Sequence, residues 1–222
     1  MTMMQKITLE FIGLRCILCI MIDDAPYICE LSEIAEVAAG YPIRGSVESL
    51  PEGEVGVIQL RNVDADQAIR WGEIYKADIP RKRTQKRLDE RSVLFSGRGL
   101  NIYALSIGQT PFPAVASPHF FVIYCTSDLL IPSFLAWQLN QAPAQNYFRS
   151  VSAGSAQKSV RRRDLEMLEV SVPSLSKQEA ILNLWRTAQK EREALRAIEA
   201  CRMHQLEAVA NDLLSSRQER AK

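Results

Sequence analysis

The groups in this chain best suited to chemistry are hydrogen-bond donors and cations, gathered in a few short stretches. From Ala153 the sequence runs through Gly154, Ser155, Gln157, Lys158 and Ser159 to Arg161, Arg162 and Arg163. A loop of hydroxyl, amide and cationic groups suits reading a polyanion. A second cluster gathers Arg81, Lys82, Arg83, Lys86, Arg87 and Arg91. Its density of Lys and Arg suits phosphate contacts, which set affinity and salt dependence but carry no sequence information. A solvated loop is its plainer reading. Arg61, Asn62, Arg98, Ser155, Gln157 and Lys158 are of the types that read base edges, Arg on guanine and Asn or Gln on adenine. For Asn62 and Gln157 the competing reading is hydrogen bonding to loop backbone. Tyr41 and Arg44, in the loop after Gly40, are candidates for the same face, as are Ser159 and Arg161.

The elements that must hold these groups follow from periodicity. Leu168, Val170 and Val172 alternate and are closed by Pro173, the pattern of a short half-buried strand. Ser176 and Glu179 stand three apart, as in a capping box that starts a helix. From Ser176 to Arg217 there is no Pro or Gly, and Ile181, Leu184, Trp185, Ala188, Leu195, Ile198, Leu206, Val209 and Leu213 fall at helical spacing. That predicts a helix of roughly 35 to 40 residues, about 55 Å long. Its apolar stripe, interrupted by Arg192 and Arg202, needs a cover, and a coiled-coil partner is the expected one.

Upstream, the spacing of Leu31, Ile34 and Val37 predicts a helix that ends at Gly40. Val55 to Leu60 reads as a buried strand with Arg61 and Asn62 at its end, and Asp64 to Arg91 as mostly loop. Ser92 to Ser96 reads as a strand broken by Gly97-Arg98-Gly99, with a further strand within Asn101 to Ile107 and an aromatic one from His119 to Cys125. Helices are expected over Ile131 to Asn140 and Ala144 to Arg149. The pattern divides the chain into an unassigned segment 1–30, a globular domain 31–175 and a long helix 176–217. The fold class is α+β, a mixed sheet and helix domain followed by one coiled-coil-type helix.

The totals narrow the function. At 222 residues, 47% hydrophobic and 24% charged, the chain can bury a sizeable core. A net charge of +1 excludes a global polycation, so the local basic patches fit a defined footprint better than a nonspecific coat. Five scattered cysteines include a CxxC pair, Cys16 and Cys19, without the second pair a tetrahedral zinc site needs. Buried free thiols and a reducing, cytoplasmic setting are expected. The apolar run Phe11 to Ile22 contains Arg15 and falls short of the roughly 20 residues that cross a bilayer. His119 and His204 pair with no nucleophile in a recognisable motif. With no Gly-rich phosphate loop, no HExxH and no nuclease-like carboxylate cluster, neither catalysis by this chain alone nor a metal or cofactor is expected.

The order of parts resembles the target-recognition domain of specificity (S) subunits in type I restriction-modification systems. The resemblance rests on Ile58-Gln-Leu-Arg-Asn62, Val93 to Gly99, Ser117-Pro118-His-Phe-Phe and Phe134 to Asn140, then on the Gly-Ser-x-Gln loop, the strand ending in Pro173 and the Gln178-Glu179 helix start. It runs in order from about Leu31 to Leu214. It implies a non-catalytic subunit that binds double-stranded DNA and directs a methyltransferase (M) subunit, with a restriction (R) subunit as a further partner. N6-adenine methylation with S-adenosylmethionine would then belong to the partner, which would take a flipped base into its own pocket. The family's usual member carries two recognition domains separated by two long helices; this chain has one of each. That departure implies a homodimer through the C-terminal helix, with an inverted-repeat target. The rival expectation is a scaffold or regulatory dimer that keeps the fold without reading DNA.

Overall fold

In a computed structural model of the chain, the described residues are 26–43, 45–64, 66–79, 86–98, 101–152 and 159–219. They fall into two units, 1–179 and 180–222. The first unit is built from a four-stranded sheet, a three-stranded sheet and a two-stranded ribbon.

The four-stranded sheet is antiparallel throughout, in the order β2 (Ala35–Ala39), β8 (Phe121–Cys125), β5 (Ser92–Ser96), β6 (Tyr103–Ser106). Strand β5, inside the sheet, is buried at every position, which is why Val93, Leu94 and Phe95 form an unbroken apolar run. The smaller sheet sets β3 (Glu52–Ile58) between β4 (Lys76–Ala77) and β7 (Ala114–Ala116), the last pairing parallel. One core joins Ile58, Leu94, Leu105, Phe120 and Val122 across the two sheets; a smaller one gathers Val47, Val57, Ile79 and Val115.

The expected helix from Leu31 to Gly40 is corrected to one helical turn, α1 (Leu31–Ile34), followed by β2. Spacing alone fits either form, since Ala35 and Val37 also alternate inward. Pairing of all five residues with β8 decides for the strand. The segment assigned to no element before Leu31 contains β1 (Tyr27–Glu30), which pairs with β9 (Glu169–Val172).

Helix α2 (Pro132–Leu139) opens with Pro at its first position, where a missing N–H costs nothing, and packs on β5 and β6. Helix α3 (Ala142–Ser152) packs Phe148 on Phe95, ring centroids 4.9 Å apart. Trp137 stacks on Phe134 at 5.4 Å, and Trp71, unassigned from sequence, meets Phe112 edge-on at 5.6 Å. After the short helix α4 (Arg162–Glu166) and β9, the long helix α5 (Leu175–Glu219) begins one residue earlier than expected. The carbonyl of Ser174 accepts the amides of Lys177 and Gln178, so Ser176 lies inside the first turn and is not the cap.

In the second unit Leu195, Ile198, Met203, Leu206, Val209 and Leu213 remain exposed. The expectation of buried thiols holds for Cys29 and Cys125, whereas Cys201 is exposed; all three are free. Cys16 and Cys19 lie outside the described residues. Among those residues no helix is long and apolar enough to cross a membrane, and no cluster of His, Cys, Asp or Glu is placed to hold a metal.

Candidate nucleic-acid interface

Strand register fixes which loops meet. Ala39 faces Phe121, Phe121 faces Phe95, and Ser96 faces Tyr103, so these five mark one end of the larger sheet. From that end issue Gly40 and Tyr41 after β2, Gly97 and Arg98 after β5, and Asn101 before β6. The Gly40 amide donates to the Phe120 carbonyl at 2.9 Å and that of Tyr41 to the Ala116 carbonyl at 2.7 Å. A Cβ on Gly40 would collide with the Ser117 carbonyl, so only glycine allows this approach. The smaller sheet joins here, because the Ser117 amide donates to the Ile58 carbonyl at 2.8 Å. The turn Leu60–Asn62 therefore leaves β3 at the same end.

Arg98 pairs through its backbone with Ser159 in an isolated antiparallel bridge, and the Val160 amide donates to the Gly97 carbonyl at 2.8 Å. Tyr41, Arg61, Arg98 and Ser159 are thus brought to one end of the fold. Arg98 is exposed and has no carboxylate partner among the described residues.

The other described candidates are engaged with their own fold. Asn62 is buried at 2% exposure; its Oδ1 accepts the Gln59 amide at 2.9 Å, and its Nδ2 donates to the Glu73 carbonyl at 3.1 Å. The backbone reading wins for Asn62, which leaves the base-reading set. Lys86 pairs with Glu36 and sits 5.2 Å from the Tyr124 ring centre. It lies level with Ser92, about 13 Å along the strand from Ser96. Arg87 and Arg91 hold local groups too: Arg91 donates to the carbonyls of Cys125 and Ser127, each at 2.8 Å. The described part of the basic cluster is therefore fastened to the domain. Arg61 pairs with Glu48, whose carboxyl is held below its ordinary value by its own backbone amide first and by Arg61 second. Arg161 bonds Asp164 at 2.9 Å while remaining exposed. Arg44, Arg81, Lys82, Arg83, Ser155, Gln157 and Lys158 lie outside the described residues.

Two clefts flank this end. One, of about 190 Å³, lies by β2 and β8 and is lined by Glu36, Gly40, Tyr41, Lys86 and Tyr124. The second, of about 500 Å³, lies by β6 and is lined by Val63, Asp64, Gln67, Asn101, Tyr103 and Gln145. None of its polar residues is marked as ligand-facing by the sequence, because single amides, whether in a loop like Gln67 or on a helix like Gln145, carry no periodic signal.

Residues 28–194 match the family model described as the type I restriction modification DNA specificity domain. The chain belongs to this family. Three solved structures share its fold. The S subunit of the type I restriction-modification system from M. genitalium aligns with a TM-score of 0.51 at 14% identity, over 87% of this chain and 47% of that one. A chain from work on complex assembly and conformational transition of the type I R-M system gives 0.56 at 15%, over 79% and 41%. The HsdS subunit from Thermoanaerobacter tengcongensis gives 0.52 at 16%, over 77% and 39%. This specificity domain thus spans less than half the length of each of those chains. No curated protein matches it.

Proposed function

We propose that this chain is the sequence-reading subunit of a type I restriction-modification system, with one half-site recognised by residues 31–175. Residues 176–217 form a dimerisation and spacer helix. The chain is not itself an enzyme; it directs a methyltransferase subunit, and a restriction subunit where the system has one, to the site in the cytoplasm. The observation that carries this reading is the meeting of Tyr41, Arg61, Arg98 and Ser159 at one end of the sheet, in a member of the DNA specificity domain family. Phosphate contacts would come from Arg61, which can exchange the exposed Glu48 carboxylate for a phosphate at little cost, and from Arg161, which stays exposed while bonded to the largely buried Asp164. Arg98, without a competing acid among the described residues, is the base reader. Arg44, Arg81, Lys82, Arg83, Ser155, Gln157 and Lys158 remain proposed contacts on sequence grounds.

The pairing of Arg61 with Glu48, Lys86 with Glu36 and Arg161 with Asp164 favours a second reading, a scaffold dimer that retains the fold without binding DNA. Duplex binding across a salt series, with the mass in solution recorded alongside, separates the two. A dimer whose affinity falls steeply with salt supports recognition; a dimer without duplex affinity, alone or with a type I methyltransferase subunit, leaves the scaffold.

A further inference from the structure

We propose that the cleft beside β6 reads an adenine edge, with Gln67 as donor and Gln145 as acceptor; this rests on the DNA-recognition reading and assigns it a second, separate reading surface. The orientation of both amides follows from backbone groups whose roles are fixed. The Ala104 amide can only donate, so the oxygen of Asn140 is the atom 2.9 Å from it. The nitrogen of Asn140 then donates to the Ala104 carbonyl at 2.7 Å and reaches Gln67 at 3.0 Å, where it must meet Oε1. The Nε2 group of Gln67 is left as its donor. Gln145 is fixed in the opposite sense: its Nε2 donates to the Leu139 carbonyl at 2.8 Å, which leaves Oε1 as its acceptor.

The backbone supports the same assignment. Gln67 has φ +63°, and among the described residues it is the non-glycine with positive φ. L residues rarely adopt that conformation, and it is often kept where a side chain must be held for a ligand. Asp64 accepts the amides of Asp66 and Ala68, each at 2.9 Å, which fixes the loop carrying Gln67. The Asp64 carboxylate also disfavours phosphate in the cleft, so a neutral base edge suits it better than backbone. At about 500 Å³ the cleft falls within the range of roughly 300–1,000 Å³ usual for ligand sites.

A donor and an acceptor lining one cleft match adenine, which presents N7 as acceptor and N6–H₂ as donor in the major groove. Guanine presents two acceptors there, O6 and N7, and would set O6 against the Gln145 oxygen. The pair therefore selects adenine and rejects guanine.

The test is selection of the full-length protein on random duplex DNA, for wild type, Gln67→Asn and Gln145→Lys. Asn tolerates the backbone at position 67 but withdraws the donor's reach. Lys at 145 replaces the acceptor with a donor. Wild type is expected to prefer adenine at one half-site position. Gln67→Asn should weaken that preference about tenfold, and Gln145→Lys should shift it toward guanine, with binding to random duplex changed less than about threefold. A purely structural role for Gln145 would not redirect base choice. Unchanged base preference in both variants overturns the assignment while DNA recognition stands. Absence of duplex binding by the wild type, alone or with a methyltransferase subunit, overturns the recognition reading itself.

Discussion

Arg98 and Ser159 face each other across an isolated antiparallel bridge that ties the turn after β5 to the segment leading into α4. Two loops distant in sequence thereby share one anchor, and the exposed Arg98 follows two residues after the end of a strand buried at every position. A side chain on such a support keeps its direction, which base reading requires and phosphate binding does not. Arg98→Ala is predicted to relax preference at one base position by about tenfold while lowering affinity for random duplex less than about threefold. Selection with both proteins checks this; a uniform loss across all sequences would make Arg98 a phosphate contact instead.

Gln178 explains physically why the first turn of the long helix carries a glutamine. Its side chain is fully buried; Oε1 accepts the Ile131 amide at 2.9 Å, while Nε2 donates to the carbonyls of Leu129 and Pro173 at 2.7 and 2.8 Å. The start of α2 and the end of β9 are thus fastened to one carboxamide. Gln178→Leu fits the volume but strands three backbone groups, and should cost about 3 kcal/mol in urea unfolding. A loss below about 1 kcal/mol would mean that water replaces the amide.

Much of the fold was legible because its apolar patterns are local. Strands β3, β5 and β8 and helices α2, α3 and α5 follow from runs that tertiary structure did not have to reinterpret. Strand β2 was misread since Ile34 and Val37 suit a helix until β8 is there to pair with it. Strand β7 is three small residues set among prolines, with no periodic signal, yet it pairs in parallel with β3. Strand β1 takes its identity from β9 alone. The candidate site was legible in residue type but not in use. Asn62, Gln138 and Gln178 carry the same carboxamide chemistry as base readers and satisfy backbone inside the domain; Gln138, for example, bonds both the amide and the carbonyl of Ser171 at 3.1 Å.

Alkaline pH should destabilise the domain. Burial pushes the Cys125 thiol from its ordinary 9.0 up to about 12, and the Tyr124 hydroxyl from 10.0 to about 12. The unfolded chain therefore loses these protons first. The stability these groups confer is complete below about pH 9 and declines as pH rises from about 9 toward about 12. Urea midpoints at about pH 8 and about pH 11 should differ in that direction. In the folded protein at about pH 8, a thiol reagent located by mass spectrometry should label Cys201 and spare Cys29 and Cys125.

The uncovered stripe of α5 carries the dimer proposal. Leu206 is 63% exposed and Val209 58%, values that suit a helix seam awaiting a partner. Leu206→Glu with Val209→Lys should convert a dimer to a monomer by light scattering, leaving the unfolding of the first unit unchanged. A wild-type protein that is already monomeric at micromolar concentration would exclude this seam.

Selection of wild-type protein on random duplex DNA, followed by affinity for the winner from about 50 to about 200 mM salt, decides whether this domain reads sequence. The expected result is an enriched inverted repeat, bound by a dimer, with an affinity that falls by orders of magnitude over that range. Recovery of no sequence, with binding absent or indifferent to salt, alone or with a methyltransferase subunit, would contradict it.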